Sequence, residues 1–421
     1  MRKIITFLGT RPIATAYDFE GRTYTGHAFA EALRQAVGFD QMLVFTTKAA
    51  AETTWPVIEA LGDPRIDKVD IPDGRDTVEL WGLFEALTGE VDPGDIVIFD
   101  ITHGLRSIPF LIFLAAAYLK EARHVTIERI LYGAYELGRP APVIDLSDFV
   151  GLLDWLTATD RFVGTGDGRD LARLLGEAGH FEHPRRPLTP AEREAETVSK
   201  RISSAAGAIE RTSQALLTNL IPQAEHASAD LIQELMVAAQ DLARKAPPYR
   251  LLADQVRATY APLRADAPFE DDLTLDLSVQ RRMVAWYMEK GHIPQALTLM
   301  REWMVTAAGC RLGLTGADLL DHKGARAEVE SALNCNSRFW QTGAPKGETL
   351  PNLPAVMQSW PEAKRIGDLW NQVANLRNLI NHAMMRQTWQ QWPVATVIKR
   401  CNDIYAAFDA LAGLLEDAIS C

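Results

Sequence analysis

The sequence predicts an α/β domain of Rossmann-like type, followed by an all-α helical region. Three observations lead there. In the first third, short apolar runs alternate with helical patterns, and Gly, Pro and Asp separate them, as in a mostly parallel sheet with helices on both faces. Beyond about residue 190, helical spacing dominates. The length of 421 residues is that of two or three domains. The expected division is a Rossmann-like domain over 1–178, a helical linker region over 179–280 and a C-terminal helical domain over 281–421.

Lys3-Ile4-Ile5-Thr6-Phe7-Leu8 reads as a buried first strand, ended by Gly9-Thr10-Arg11-Pro12. Residues 25–37 read as a helix, since Phe29, Leu33 and Val37 recur every fourth position. A strand at 42–46, a helix at 53–61 and a short strand at 66–71 follow. Pro72-Asp73-Gly74 makes a turn before a helix at 77–87. Asp95-Ile96-Val97-Ile98-Phe99-Asp100 is the clearest strand in the chain. After it come a helix at 105–120 and strands at 127–133 and 143–146, with a short helix at 149–155 and a loop at 164–168. Prolines, histidines and paired arginines mark 179–190 as a linker.

Helical spacing then covers 191–220, 229–243, 251–260 and 279–312, with Pro247-Pro248 as an interruption. In the last of these, Ile293, Ala296, Met300, Trp303, Ala307 and Cys310 form an apolar stripe. Gly, Pro and Asn make 334–354 a long loop. A helix over 362–385 carries Ile366, Leu369, Val373, Leu376, Ile380 and Ala383 on its core face, and a final helix runs over 394–415.

A net charge of -12 argues against coating a long duplex, because such affinity comes from neutralising phosphates. The charge is uneven. Residues 281–421 hold 15 Lys and Arg against 13 Asp and Glu, a net of +2, which leaves -14 for the rest. A local basic groove in the last third is compatible with that. Cys310, Cys335, Cys401 and Cys421 fit no metal-binding spacing, and residues 1–8 resemble a strand more than a signal peptide. A reduced, cytoplasmic protein is the expectation. The longest apolar run, 108–119, is too short to span a bilayer.

In doubly wound sheets ligands bind beyond the carboxyl ends of the strands. Two loops occupy that position: Gly9-Thr10-Arg11, and Thr102-His103-Gly104-Leu105-Arg106-Ser107. Gly104 lets the backbone approach a ligand, the amides opening the following helix suit an anion, and Thr102, Arg106 and Ser107 add donors. With no GxGxxG and no P-loop lysine, the chemistry does not point to a nicotinamide cofactor or ATP. The same residues also fit an ordinary helix start, with Thr102 as cap, Gly104 as turn, Arg106 paired with a surface acid and His103 in a local hydrogen bond.

The second pattern is Arg377-Asn378-Leu379-Ile380-Asn381-His382. On a helix, Arg377 and His382 are turned by roughly 140° from one another and flank a groove, while Asn378 and His382 are neighbours four apart. An imidazole can take the proton of a ribose 2′-OH or protonate the leaving oxygen, and a guanidinium can hold the phosphate as charge develops. Such chemistry needs no metal. It yields a 2′,3′-cyclic phosphate, spares DNA and gains from two copies facing one another. These polar positions also fit a solvated helix face.

Together the two patterns resemble those of the CRISPR-associated CARF–HEPN ribonucleases of type III systems. Phe7-Leu8-Gly9-Thr10 is similar to the first CARF strand and loop, and Asp100 to Pro109 to the second ligand loop. The stretch from Gln295 to Trp303 resembles the opening HEPN helix, and Arg377 to His382 the HEPN motif. The resemblance implies a homodimer that binds a cyclic oligoadenylate across paired CARF domains and then cuts single-stranded RNA at the HEPN interface; the motif does not fix the ring size, for which tetra-adenylate is expected ahead of hexa-adenylate. It implies Thr10, Arg11 and Thr102 to Ser107 as ligand contacts, Arg377 and His382 as catalytic and Asn378 as their support. Some CARF domains also degrade their activator, for which His103 or Thr10 are candidates. The competing expectations are a sensor whose helical end only dimerises and a Rossmann oxidoreductase.

Overall fold

The computed structural model describes residues 1–104, 106–264, 273–342, 353–383, 385 and 392–419. The chain forms two compact units, Met1–Asp154 and Trp155–Cys421.

The first unit contains an eight-stranded sheet. Its elements are β1 (Arg2–Phe7), β2 (Thr15–Phe19), β3 (Arg22–Gly26), α1 (Phe29–Ala36), β4 (Gln41–Thr46), α2 (Lys48–Thr53), α3 (Trp55–Glu59), β5 (Ile66–Asp70), α4 (Thr77–Gly89), β6 (Ile96–Asp100), α5 (Ile108–Arg123), β7 (Thr126–Gly133) and β8 (Ala141–Asp145). The strand order is β3-β2-β8-β7-β6-β1-β4-β5. From β7 to β5 every pairing is parallel, and Ile4 sits between Ile98 and Met42 in register. Buried on both faces, β1, β4 and β6 read as unbroken apolar runs. Their side chains alternate between two cores: Ile5, Phe7 and Phe99 pack with residues of α4 and α5, and Ile4, Met42 and Ile98 with residues of α1.

The antiparallel hairpin β2–β3 falls on residues to which the sequence reading assigned no element and overlaps the start of the helix expected from 25. Its turn, Glu20-Gly21, places both residues at positive φ, 53° and 76°, the pattern of a type I′ turn, and Glu20 is an unusual occupant of that position. The first helix accordingly begins at Phe29 and not at 25. The expected helix at 53–61 is the shorter α3, and a separate short helix, α2, precedes it and closes at its C-cap Thr54 ahead of Pro56. The sheet edges are β3, with Arg22, Thr23 and Thr25 exposed, and β5, with Asp67, Lys68 and Asp70 exposed.

A helix α6 (Ser147–Thr165) contains the boundary between the units. The second unit continues with α7 (Arg169–Ala178), α8 (Pro190–Leu217), α9 (Ile221–Val237), α10 (Ala239–Lys245), α11 (Pro247–Tyr260), α12 (Leu273–Glu289), α13 (Ile293–Arg311), α14 (Gly316–Leu320), α15 (Ala325–Thr342), α16 (Leu353–Gln358), α17 (Ala363–Asn381) and α18 (Val394–Ile419). One continuous core runs through it, from Trp155 and Phe162 to Phe408 and Leu415, and takes in residues from 155–178, 179–280 and 281–421 alike.

Four local differences from the sequence reading have clear causes. Pro247 opens a helix instead of interrupting one, as a first-turn proline can. Gly291, at φ 76°, divides the expected helix at 279–312 into α12 and α13. The loop expected at 334–354 is helical up to Thr342 and again from Leu353; 343–352 lie outside the described residues. The asparagines that suggested that loop are tertiary hydrogen-bonders: Asn336 Nδ2 donates to the Ala363 carbonyl at 2.7 Å, and Trp370 Nε1 donates to Asn334 Oδ1 at 2.9 Å. Finally, α17 ends at Asn381, short of the expected 385, where residue 384 is also outside the described residues.

Helix α13 is the most enclosed. Leu297, Met300, Trp303, Met304 and Ala308 are buried around its circumference, and Trp303 Nε1 donates to the Leu277 carbonyl at 2.8 Å. No helix among the described residues is long and apolar enough to cross a membrane.

Candidate functional site

In the first unit, β1 lies between β4 and β6, so the chain winds away from it in both directions. This is the switch point of a doubly wound sheet, where the loops leaving adjacent strands part and open a crevice. The loops after β1 and β6 line a cleft of about 720 Å³ there, with Gly9, Thr10, Arg11, Thr102, His103 and Gly104 in its wall. Two segments join them. One leads into the β2–β3 hairpin and brings Ile13 to Ala16, and the other follows β7 and brings Tyr135, Gly138 and Arg139.

The cleft floor is held by a buried carboxylate. Asp100 is fully buried at the end of β6; Thr6 Oγ1 donates to it at 2.6 Å and the Thr102 amide at 2.7 Å. Thr102 Oγ1 accepts from the Gly133 amide at 2.8 Å, so the hydroxyl ties the loop to β7. It does not cap a helix: the position before α5 belongs to Ser107. Gly104 stands at φ 115°, and a Cβ there would come 2.6 Å from Ile108 Cδ1. The conformation favours glycine, and any side chain there would also have to displace the end of Ile108.

His103 points into this frame. The Tyr17 hydroxyl is 3.5 Å from His103 Nε2, and its ring lies near-parallel to that of Tyr135, 22° apart with centroids at 6.4 Å. Burial lowers the affinity of His103 for a proton, against the pull of Asp100. Burial also raises the pKa of Asp100, against the opposing effects of His103 and the two threonines. Tyr17 is pushed up to about 12 by burial and by the Asp100 charge. The floor thus disfavours added charge, while Arg11 and Arg139 at the rim are exposed. Arg11 has no ion pair among the described residues. The arrangement suits a ligand with anionic groups at the rim and flat or neutral groups inside.

Of the expected ligand contacts, the fold brings Thr10, Arg11, Thr102, His103 and Gly104 together. Ser107 begins α5 and Arg106 is exposed, and neither lines the cleft; Leu105 lies outside the described residues. Arg106 has no acidic partner among the described residues. Tyr17, Tyr135 and Arg139 were not singled out from sequence.

In the second unit, Arg377 and Asn378 lie on the last turns of α17, and His382 is its C-cap. The amide of His382 donates to the Asn378 carbonyl at 3.1 Å, so helical geometry persists to that residue. Arg377 Nη1 donates to Asn378 Oδ1 at 3.4 Å, a long contact, and the buried Nε of Arg377 has no acceptor among the described residues. His382 and Asn378 are exposed, and the imidazole has no hydrogen-bond partner among the described residues. Leu376 and Leu379, with Val373, hold this end of α17 in the core; Ile380 is half-buried and packs against that core as expected, while Ala383 is exposed.

Over 108 residues the chain is 32% identical to a CRISPR-associated protein of Methanocaldococcus jannaschii. The match spans 24% of this chain and 17% of that protein's length. No family model matches.

On the face of α17 that carries Gln372, Asn375 and Leu379, a groove of about 440 Å³ runs between α17 and α18 over an apolar floor that includes Leu379 and Ile404. Nothing in the sequence pattern marked it, since its residues come from two helices and have no common spacing. Among the described residues, no three His, Cys, Asp or Glu side chains are grouped as metal ligands would be.

Proposed function

We propose that the protein is a CRISPR-associated ribonuclease, activated when a cyclic oligoadenylate occupies the switch-point cleft. The observation that carries this reading is the cleft itself. Its two principal walls are the two loops that resemble CARF ligand loops, and they meet where a doubly wound sheet binds ligands. Arg11 and Arg139 would hold phosphates, and the flat faces of His103 and Tyr135 would take a base. The likeness to a CRISPR-associated protein supports the setting.

The nuclease would be the end of α17. His382 acts on the 2′-OH or the leaving oxygen, Arg377 neutralises the phosphate and Asn378 orients Arg377. A buried guanidinium N–H without an acceptor supports a role for Arg377 in anion binding. One exposed histidine and one arginine make a sparse catalyst, and a homodimer would place two sets together. Self-association is supported on the first unit, where Phe110, Leu114 and Tyr118 recur every fourth residue along α5 with 67%, 42% and 44% exposure.

The test is cleavage of a fluorophore–quencher single-stranded RNA in chelator, with and without cyclic tetra-adenylate or hexa-adenylate. Cleavage that needs the activator and disappears in His382→Ala supports the reading. A dimer that binds activator but cuts no RNA would make the helical unit a dimerisation module.

His103 favours a second activity, cleavage of the activator itself. Burial favours its neutral imidazole, the form that can accept a proton, inside the cleft and 3.5 Å from the Tyr17 hydroxyl. Conversion of cyclic to linear oligoadenylate, lost in His103→Ala, would establish it.

A further inference from the structure

We infer that the groove between α17 and α18 binds one base of the RNA and prefers a base that carries an exocyclic amino group, adenine above uracil. This inference rests on the nuclease reading for the identity of the polymer and on the groove for the rest.

The groove is lined by the amides of Asn371, Gln372 and Asn375, by the Asp403 carboxylate, and by Trp392 with Arg400. Asn375 Nδ2 donates to Asn371 Oδ1 at 3.0 Å. That leaves the Asn371 amino group and the Asn375 oxygen without partners among the described residues. Asp403 has no ion pair there either. An amide pair presents a donor and an acceptor side by side, which matches the N7 and N6 positions of adenine. A free carboxylate only accepts, so it welcomes an amino group and repels the carbonyl oxygens of uracil. Arg400 lies over the Trp392 ring at 3.7 Å and makes a flat cationic wall. Stacking on such surfaces is how single-stranded RNA is held.

The position of the groove ties it to RNA. Asn371, Asn375, Asn378 and His382 succeed one another by four, three and four residues and so share one face of α17. The distance along the axis from Asn375 to His382 is about 10 Å, at 1.5 Å per residue. A strand whose phosphate reaches His382 can therefore rest a nearby base in the groove. The RNA base preference would be set here and not by the Arg377–His382 pair, which touches only ribose and phosphate.

The experiment measures binding apart from cleavage. The full-length chain with His382→Ala is titrated with two fluorescent single-stranded RNAs, one of uridine alone and one with adenosines placed in the uridine. The expected result is adenosine-containing RNA bound about tenfold more tightly, a preference lost in Asn371→Ala/Asn375→Ala and reduced in Asp403→Asn. Equal binding of the two RNAs, or a preference that survives both sets of substitutions, overturns the inference. Failure of the nuclease reading shows separately: the chain without substitutions would discriminate between the RNAs in this assay yet cut neither when activated.

Discussion

The two candidate sites differ in how completely one copy of the chain builds them. At the switch-point cleft the backbone amides, hydroxyls and the Asp100 carboxylate are already bonded to one another, and a Cβ at Gly104 or Gly133 would push against Ile108 or Tyr17. At the end of α17 the imidazole is exposed, and among the described residues neither it nor the buried Nε–H of Arg377 has a hydrogen-bond partner. The first site is preorganised and so suited to recognition. The second holds its groups at the end of a helix, and among the described residues only the long Arg377–Asn378 contact orients them. Such a site becomes competent only when something else, a substrate or a second copy, completes it.

The largest expected effect would break this contrast at its weaker end. His382→Ala should lower activated RNA cleavage by about 10²–10⁴-fold, the range for loss of a general acid–base group, with activator binding unchanged in a calorimetric titration. Next, Arg11→Ala removes a rim cation from the preformed site. It should weaken activator binding by about 1.5–3 kcal/mol, the worth of a charged hydrogen bond, and leave RNA cleavage intact at saturating activator. A fall in cleavage at saturation would mean that the sites are not separable in this way.

Gly104→Ala tests the preorganisation directly. The new Cβ meets Ile108 at a backbone angle suited to glycine, and a cost of about 1–3 kcal/mol is expected, read as a lowered denaturation midpoint with weakened activator binding. The smallest effect concerns pH. Because burial lowers the folded-state pKa of His103, the unfolded chain binds more protons below pH about 6.5. Stability from this group is therefore complete above that pH and declines as the pH falls towards the folded value. Asp100, with its pKa raised, acts in the opposite direction as the pH falls. Comparison of His103→Gln with the unaltered chain isolates the histidine: the variant should lose less stability between pH 7 and pH 5.

How much of this was legible in the sequence depends on whether neighbours in space were neighbours in the chain. The parallel strands are legible because burial on both faces leaves unbroken apolar runs such as Ile96 to Phe99. The loops after β1 and β6 are legible because strand ends foretell the crevice. Tyr17, Tyr135 and Arg139 are not. The first arrives on a hairpin whose Glu-Gly turn lacks the usual Asn or Asp, and the others follow β7, about 30 residues beyond the motif they join. In the helical unit, the positions of Arg377 and His382 follow from spacing, but the amides of α17 meet Asp403 and Arg400 only through the packing of two helices.

The sheet edges bear on the fate of the protein when it is abundant. An open β-edge is a template on which a second molecule can add a strand, and repetition of that event builds fibres. Here one edge, β5, alternates Asp67, Lys68 and Asp70 with partly covered Ile66 and Val69, and the other, β3, is a short strand carrying Arg22 beside two threonines. Neither offers the long, flat, apolar margin that such growth requires. The molecule can accumulate in quantity while its sheets remain separate.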